Sequence, residues 1–135
     1  MLRPLAVALA VCLAAAAAHA AEELKPHLAW SKMERGGMTL LDVRTPAEWL
    51  QTGVPKNARL VTLSDPRGAA GFVAGAKKAV RGDLRKPVGV ICRTGNRSAQ
   101  AVAVLEKAGF KTVDDVPEGV VGTGSTTGWA PRGLP

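Results

Sequence analysis

Past residue 20, apolar residues gather in short continuous runs rich in Val, Leu and Ile, alternating with segments of Ala and Lys at helical spacing. Residues 22–35 read as a short helix, with Leu24, Leu28 and Trp30 or Met33 on one face and Gly36-Gly37 as its stop. Residues 38–44 follow as a strand too continuously apolar for a solvated edge and suited to a buried parallel sheet. Thr45, Pro46 and Glu48 then start a helix: Thr45 caps, Pro46 takes the first helical position, and Glu48 completes a capping box. Gly53 and Pro55 end it. Residues 59–63 read as a second strand, 69–80 as a helix despite Gly71 and Gly75, and 88–92 as a third strand. The clearest helix is 96–108, with Ala99, Val102, Ala103, Leu105 and Ala108 as its apolar face and Gly109 as its stop. A last strand begins at Lys111, and the tail from Pro117 is rich in Gly, Thr and Pro. Strands that alternate with helices predict an α/β fold, a central parallel sheet with helices on both faces. In such sheets ligands bind beyond the carboxyl ends of the strands, where residues 42–44 and the loop opened by Cys92 fall.

Composition narrows the function. The 135 residues are 47% hydrophobic but only 4% aromatic, with no Tyr, so the core is aliphatic and a base-stacking platform for single-stranded nucleic acid is not expected. Trp30, Trp49 and Trp129 are expected to pack rather than to stack on a ligand. The formal charge of +7 is scattered rather than clustered, so it supports a nucleic-acid footprint only weakly and fits a small anionic substrate equally well; no nucleic-acid partner is expected. Two cysteines rule out a disulfide scaffold and a four-thiolate zinc site. His27 belongs to no cluster spaced for a metal, so neither metal nor cofactor is expected.

The first twenty residues have a separate logic. Arg3 is a basic start, Leu5 to Ala18 an unbroken apolar run, and Ala18-His19-Ala20 a small-x-small cleavage pattern. About 14 apolar residues fall short of the roughly 20 that span a membrane. The expectation is a signal peptide cleaved after Ala20, giving a periplasmic or secreted domain, 21–135, with no membrane association and a monomeric state. Cys12 leaves with the leader, so Cys92 becomes the lone thiol of an exported protein, a position that marks a reactive cysteine.

The segment Cys92, Arg93, Thr94, Gly95, Asn96, Arg97, Ser98 carries the candidate chemistry. A buried strand delivers the cysteine, a tight loop turns, and a helix begins. Backbone N–H groups entering a helix N-terminus collect an anion and favour thiolate over thiol. Arg93 and Arg97 add positive charge, Gly95 permits a positive backbone angle, and Ser98 is placed to donate to the sulfur or cap the helix. A cysteine at a strand end is ordinarily a small buried hydrophobe. The lone thiol, the strand–loop–helix context, the glycine and two flanking cations together point instead to a nucleophile.

That loop, with Leu40-Leu41-Asp42-Val43-Arg44 and Thr45-Pro46-Ala47-Glu48-Trp49 upstream and Gly128-Trp129 to Pro135 at the end, resembles the rhodanese domain over roughly residues 24–135. The resemblance implies a parallel sheet of about five strands and a ping-pong sulfurtransferase. Cys92 would take the outer sulfur of a thiosulfate-like donor and pass it, as a persulfide, to a cyanide or thiol acceptor, protein thiols included. Arg93 and Arg97 would hold the donor's sulfonate oxygens, Asp42 would support the loop, and Arg44 is expected to pair with Glu48. The chain departs from the family pattern in the Gly/Thr-rich segment 119–128, which either shapes the mouth of the site or is loose, and in residues 53–58.

Two rivals share the loop. A cysteine-dependent phosphatase places one more residue between cysteine and arginine than the four found here, Arg93 to Asn96, and has an aspartate general acid with no obvious counterpart. A persulfide carrier or thiol sensor that serves a protein partner would carry the same loop without turning over thiosulfate.

Overall fold

The computed structural model describes residues 21–135; the expected signal peptide, with Cys12, lies outside the described residues. Eight elements follow in order: α1 (Pro26–Glu34), β1 (Thr39–Asp42), α2 (Pro46–Thr52), β2 (Arg59–Leu60), α3 (Ala69–Ala79), β3 (Val88–Ile91), α4 (Asn96–Lys107) and β4 (Val113–Asp115). The strands form one parallel sheet in the order β2-β1-β3-β4. Among the described residues the sheet has four strands rather than five. The segment where a further strand would lie makes only a single parallel bridge, Glu23 to Asp115. Three residues later Pro26, which has no N–H to donate, opens α1.

Strand period sets the two layers. Leu41, Val88, Val90, Cys92 and Val113 face one way and pack with Phe72, Ala76 and Val80 of α3 and its C-cap, and with Ala101, Val102 and Leu105 of α4. Leu40 and Ile91, on the alternate positions, pack against Leu24, Ala29, Val116, Val120 and Trp129. The central strand β3 is buried throughout, which is why its sequence is continuously apolar.

Several expected elements shift. The first helix starts at Pro26, so Leu24 is buried ahead of it while Leu28 is 48% exposed; Ala29 is the helix's buried apolar anchor. β2 stops at Leu60, although Val61 and Leu63 still donate to the carbonyls of Asp42 and Val43. On α4 the inward positions are Ser98, Ala101, Val102 and Leu105, whereas Ala99 and Ala103 face solvent. Alanine is compatible with either face, so composition misplaced the stripe by one residue. Trp30 meets Trp129 edge to face at 6.2 Å, and the Trp129 indole N–H donates to the Pro135 carbonyl at 2.8 Å, fastening the tail to the core.

Candidate active site

The site forms at the carboxyl end of β3, the most enclosed strand. Cys92 lies one residue past it and is 1% exposed, its carbonyl accepting from Val120 N–H at 2.9 Å. The chain reverses at Gly95, whose φ of +105° lets its own N–H point back and donate to Cys92 Sγ at 3.0 Å. Gly95 is also the N-cap of α4, and among the described residues no side chain caps that helix. The first-turn N–H groups therefore stay available to a ligand on the sulfur side. Ser98 neither donates to the sulfur nor caps the helix; its hydroxyl donates to the Gly95 carbonyl at 3.0 Å and stiffens the turn from within. Thr94 is half-buried in the turn and Asn96 is exposed at the helix start.

A second segment walls the loop. Val120 and Val121 donate to the carbonyls of Cys92 and Arg93. The approach leaves no room for side chains: a Cβ on Gly95 would stand 2.3 Å from the Pro117 carbonyl oxygen, and one on Gly119 2.2 Å from that of Arg93. The Gly/Thr-rich stretch beyond is a closed turn. Thr123 N–H donates to the Thr126 carbonyl at 3.1 Å, and Glu118 accepts from Gly128 N–H at 2.9 Å and from both Nε and Nη2 of Arg132. Its ends thus brace the wall of the loop rather than hang free.

The two arginines of the loop have different surroundings. Arg93 is exposed and makes no side-chain hydrogen bond among the described residues. Arg97 is half-buried and grips Glu48 through two bonds, Nη1 to Oε2 at 2.7 Å and Nη2 to Oε1 at 2.6 Å. The guanidinium holds the Glu48 carboxyl down at about 2, and the Thr45 backbone and hydroxyl add to that effect. In return Glu48 raises Arg97, with smaller electrostatic support from Cys92 and Asp42. Arg97 thus brings a fixed positive charge to the Cys92 loop while two of its N–H groups are committed to α2.

The expected Arg44–Glu48 pair does not form. Arg44 and Asp42, two residues apart on the β1 ladder and its extension, are both fully buried and bonded to each other, Nη2 to Oδ2 at 2.7 Å and Nε to Oδ1 at 2.9 Å. Arg44 also donates to Thr52 Oγ1 at 2.7 Å and the Gly53 carbonyl at 2.9 Å, tying the end of α2 to the sheet. Glu48 is unavailable because the capping box and Arg97 already use both its oxygens. Asp42 and Arg44 therefore hold the α2 layer against the sheet, with both side chains fully buried. Sequence reasoning missed Glu48 as the partner of Arg97, 49 residues away. It also missed Pro117, Glu118 and Gly119 as the wall. Among the described residues no cluster of His, Cys, Asp and Glu could hold a metal ion.

Fold and site together define a class: a parallel α/β domain that presents one buried thiol, at the end of its central strand, to the amides of a tight loop. Residues 25–125 match the rhodanese-like domain family, and the chain belongs to that family. It is 33% identical over 98 residues to the thiosulfate sulfurtransferase GlpE of Pseudomonas syringae pv. syringae, covering 73% of this chain and 82% of that protein. The crystal structure of Rv0390 from M. tuberculosis matches with a TM-score of 0.65 and 32% identity, over 85% of this chain and 96% of that one. The polysulfide-sulfur transferase homodimer of Wolinella succinogenes is 29% identical, with a TM-score of 0.61 over 85% of this chain and 77% of that one.

Proposed function

We propose that the chain is a sulfurtransferase that moves sulfane sulfur from a thiosulfate-like donor, through a Cys92 persulfide, to cyanide or a thiol acceptor. The observation that carries this reading is the Gly95 N–H aimed at Cys92 Sγ from an uncapped helix N-terminus. In the first half-reaction the Cys92 thiolate attacks the outer sulfur of thiosulfate. The new Sγ–S bond forms as the donor S–S bond breaks, and sulfite departs with the electron pair. In the second, the acceptor attacks the outer sulfur of the persulfide and Cys92 leaves as thiolate, so no external oxidant or reductant is needed. Loop amides stabilise both the thiolate and the anionic persulfide. The near-complete burial of Cys92 favours entry of a slim terminal sulfur over a bulkier phosphate group. Arg93, exposed and uncommitted, recruits the sulfonate oxygens, and Arg97 supplies fixed charge behind them. Export belongs to the same reading: Arg3, the apolar run and Ala18-His19-Ala20 support a periplasmic or secreted protein cleaved after Ala20.

Intact-mass spectra of the purified protein before and after excess thiosulfate, then after cyanide, test the proposal. The expected result is a gain of one sulfur atom that cyanide removes, absent from Cys92→Ser, whose fold survives. The mass before treatment also reports whether the leader has been cut. A titratable thiol that gains no sulfur would reject thiosulfate as donor and make Cys92 a carrier loaded by a protein partner.

A further inference from the structure

The two edges of the sheet are treated differently. At the β4 edge the chain covers itself: Asp115 N–H donates to the Glu22 carbonyl at 2.8 Å, and Leu24 N–H to the Asp115 carbonyl at 2.7 Å. At the β2 edge no strand follows among the described residues. Val61 turns its N–H inward to the Asp42 carbonyl, so Leu60 before it on β2 turns its own outward; β2 ends there, and Leu63 reaches the Val43 carbonyl from the turn that follows. Leu60 is 47% exposed there. An uncovered edge of this kind is a template for another chain.

Beside that edge runs a groove of about 520 Å³ lined by Arg59, Leu60, Val61, Gly75, Lys78 and Arg81. Its floor is set where Gly75 lets α3 close on Val61; a Cβ there would stand 2.9 Å from Val61 Cγ1. Among the described residues three cations line it and no carboxylate does. Arg59, Lys78 and Arg81 make no ion pair among the described residues, whereas Arg67 and Arg85 each pair with an aspartate two residues before them. Arg81 carries a second sign. It sits just past α3 with φ +53°, in the turn closed by Gly82 N–H to the Lys77 carbonyl at 2.9 Å. Glycine is the residue that fills such a position without strain, and a non-glycine held there invites a functional explanation.

We propose that the β2 edge and this groove dock an extended, acidic segment of a partner protein, added as a strand alongside Leu60 with its carboxylates over Arg59, Lys78 and Arg81. Outward backbone donors and acceptors select a polypeptide over a nucleic acid, which offers no ladder, and the cations select its charge. The surface is separate from Cys92, so the inference stands or falls independently of sulfur transfer.

The test uses the full chain and a fluorescent peptide of alternating Glu and Val, with a Lys/Val peptide as control. The Glu/Val peptide is expected to bind and to slow amide exchange at Leu60. Lys78→Glu should weaken it at least tenfold. Arg81→Gly should also weaken binding while leaving the melting temperature equal or higher, since it relieves the left-handed φ; an arginine with no part in docking would leave the affinity unchanged. Absent binding, binding that survives both substitutions, or protection away from residues 59–63 would overturn the proposal. So would equal binding of a heparin oligosaccharide with no amide protection, which would mark a general polyanion surface. Self-association through this edge without peptide binding would assign the surface to a second copy of the chain instead.

Discussion

Glu48→Gln isolates the pair that fastens α2 to the Cys92 loop. The substitution keeps size and one hydrogen-bonding oxygen but removes the charge that Arg97 holds at 2.6 and 2.7 Å. A carboxyl ordinarily near 4.5 that titrates at about 2 corresponds to roughly 3 kcal/mol at about 1.4 kcal/mol per pH unit. The side chains of Arg97 and Glu48 remain 30% and 18% exposed, so solvent screening reduces the effect to about 1–2 kcal/mol. The folded carboxyl is the stronger acid, so its stabilisation is complete above the unfolded value near 4.5. It fades as pH falls through the folded value near 2. Urea unfolding at pH 7 should therefore show the variant less stable by about 1–2 kcal/mol, and the gap should close between pH 4.5 and 2. Wild type and variant losing stability in parallel over that interval would show that the pair is not the source, and the reasoning from its geometry would fail.

Other consequences follow from the same contacts. Arg93→Ala should raise KM for thiosulfate several-fold while changing stability by no more than about 0.5 kcal/mol, because the side chain is exposed and unbonded. Arg97→Ala should instead lower stability about as much as Glu48→Gln; equal stability in the two arginine variants by thermal melting would contradict that division of roles. Gly95→Ala must accept both φ +105° and a Cβ 2.3 Å from a backbone oxygen, so a loss above about 2 kcal/mol or failure to fold is expected. A variant that melts like wild type would show the loop to be looser than described. Asp42→Ala leaves the buried Arg44 charge without its carboxylate and should cost about 3–5 kcal/mol in chemical denaturation. A cost below 1 kcal/mol would mean that water reaches Arg44.

Much of this was legible along the chain. The continuous apolar run at 88–92 could only be a strand covered on both sides, and Thr45, Pro46 and Glu48 wrote their helix start in local terms. The capping box forms as those residues dictate, with Thr45 N–H to Glu48 Oε2 at 3.0 Å. The cysteine loop followed from local pattern too, since a strand, a glycine and a helix start fix where a thiol and its amides meet. The first helix was harder: Leu24 and Leu28 share a helical spacing, but Pro26 moves the start and separates their fates.

What the sequence by itself determined were the features governed by neighbours within a few residues: element type, caps, the glycine turn at Gly95 and the place of the Cys92 thiol at the end of β3. Tertiary structure alone decided the ion pairs. Arg44 had both Asp42 and Glu48 within local reach, and the choice fell to Asp42 because Arg97, distant in sequence, arrives on α4 to take Glu48. It also decided that Gly119 rather than a larger residue backs the cysteine loop, and that the β2 edge stays open while the β4 edge is covered. Charge pairing and close backbone approach depend on distances in space, which a linear pattern does not carry until the sheet order is set.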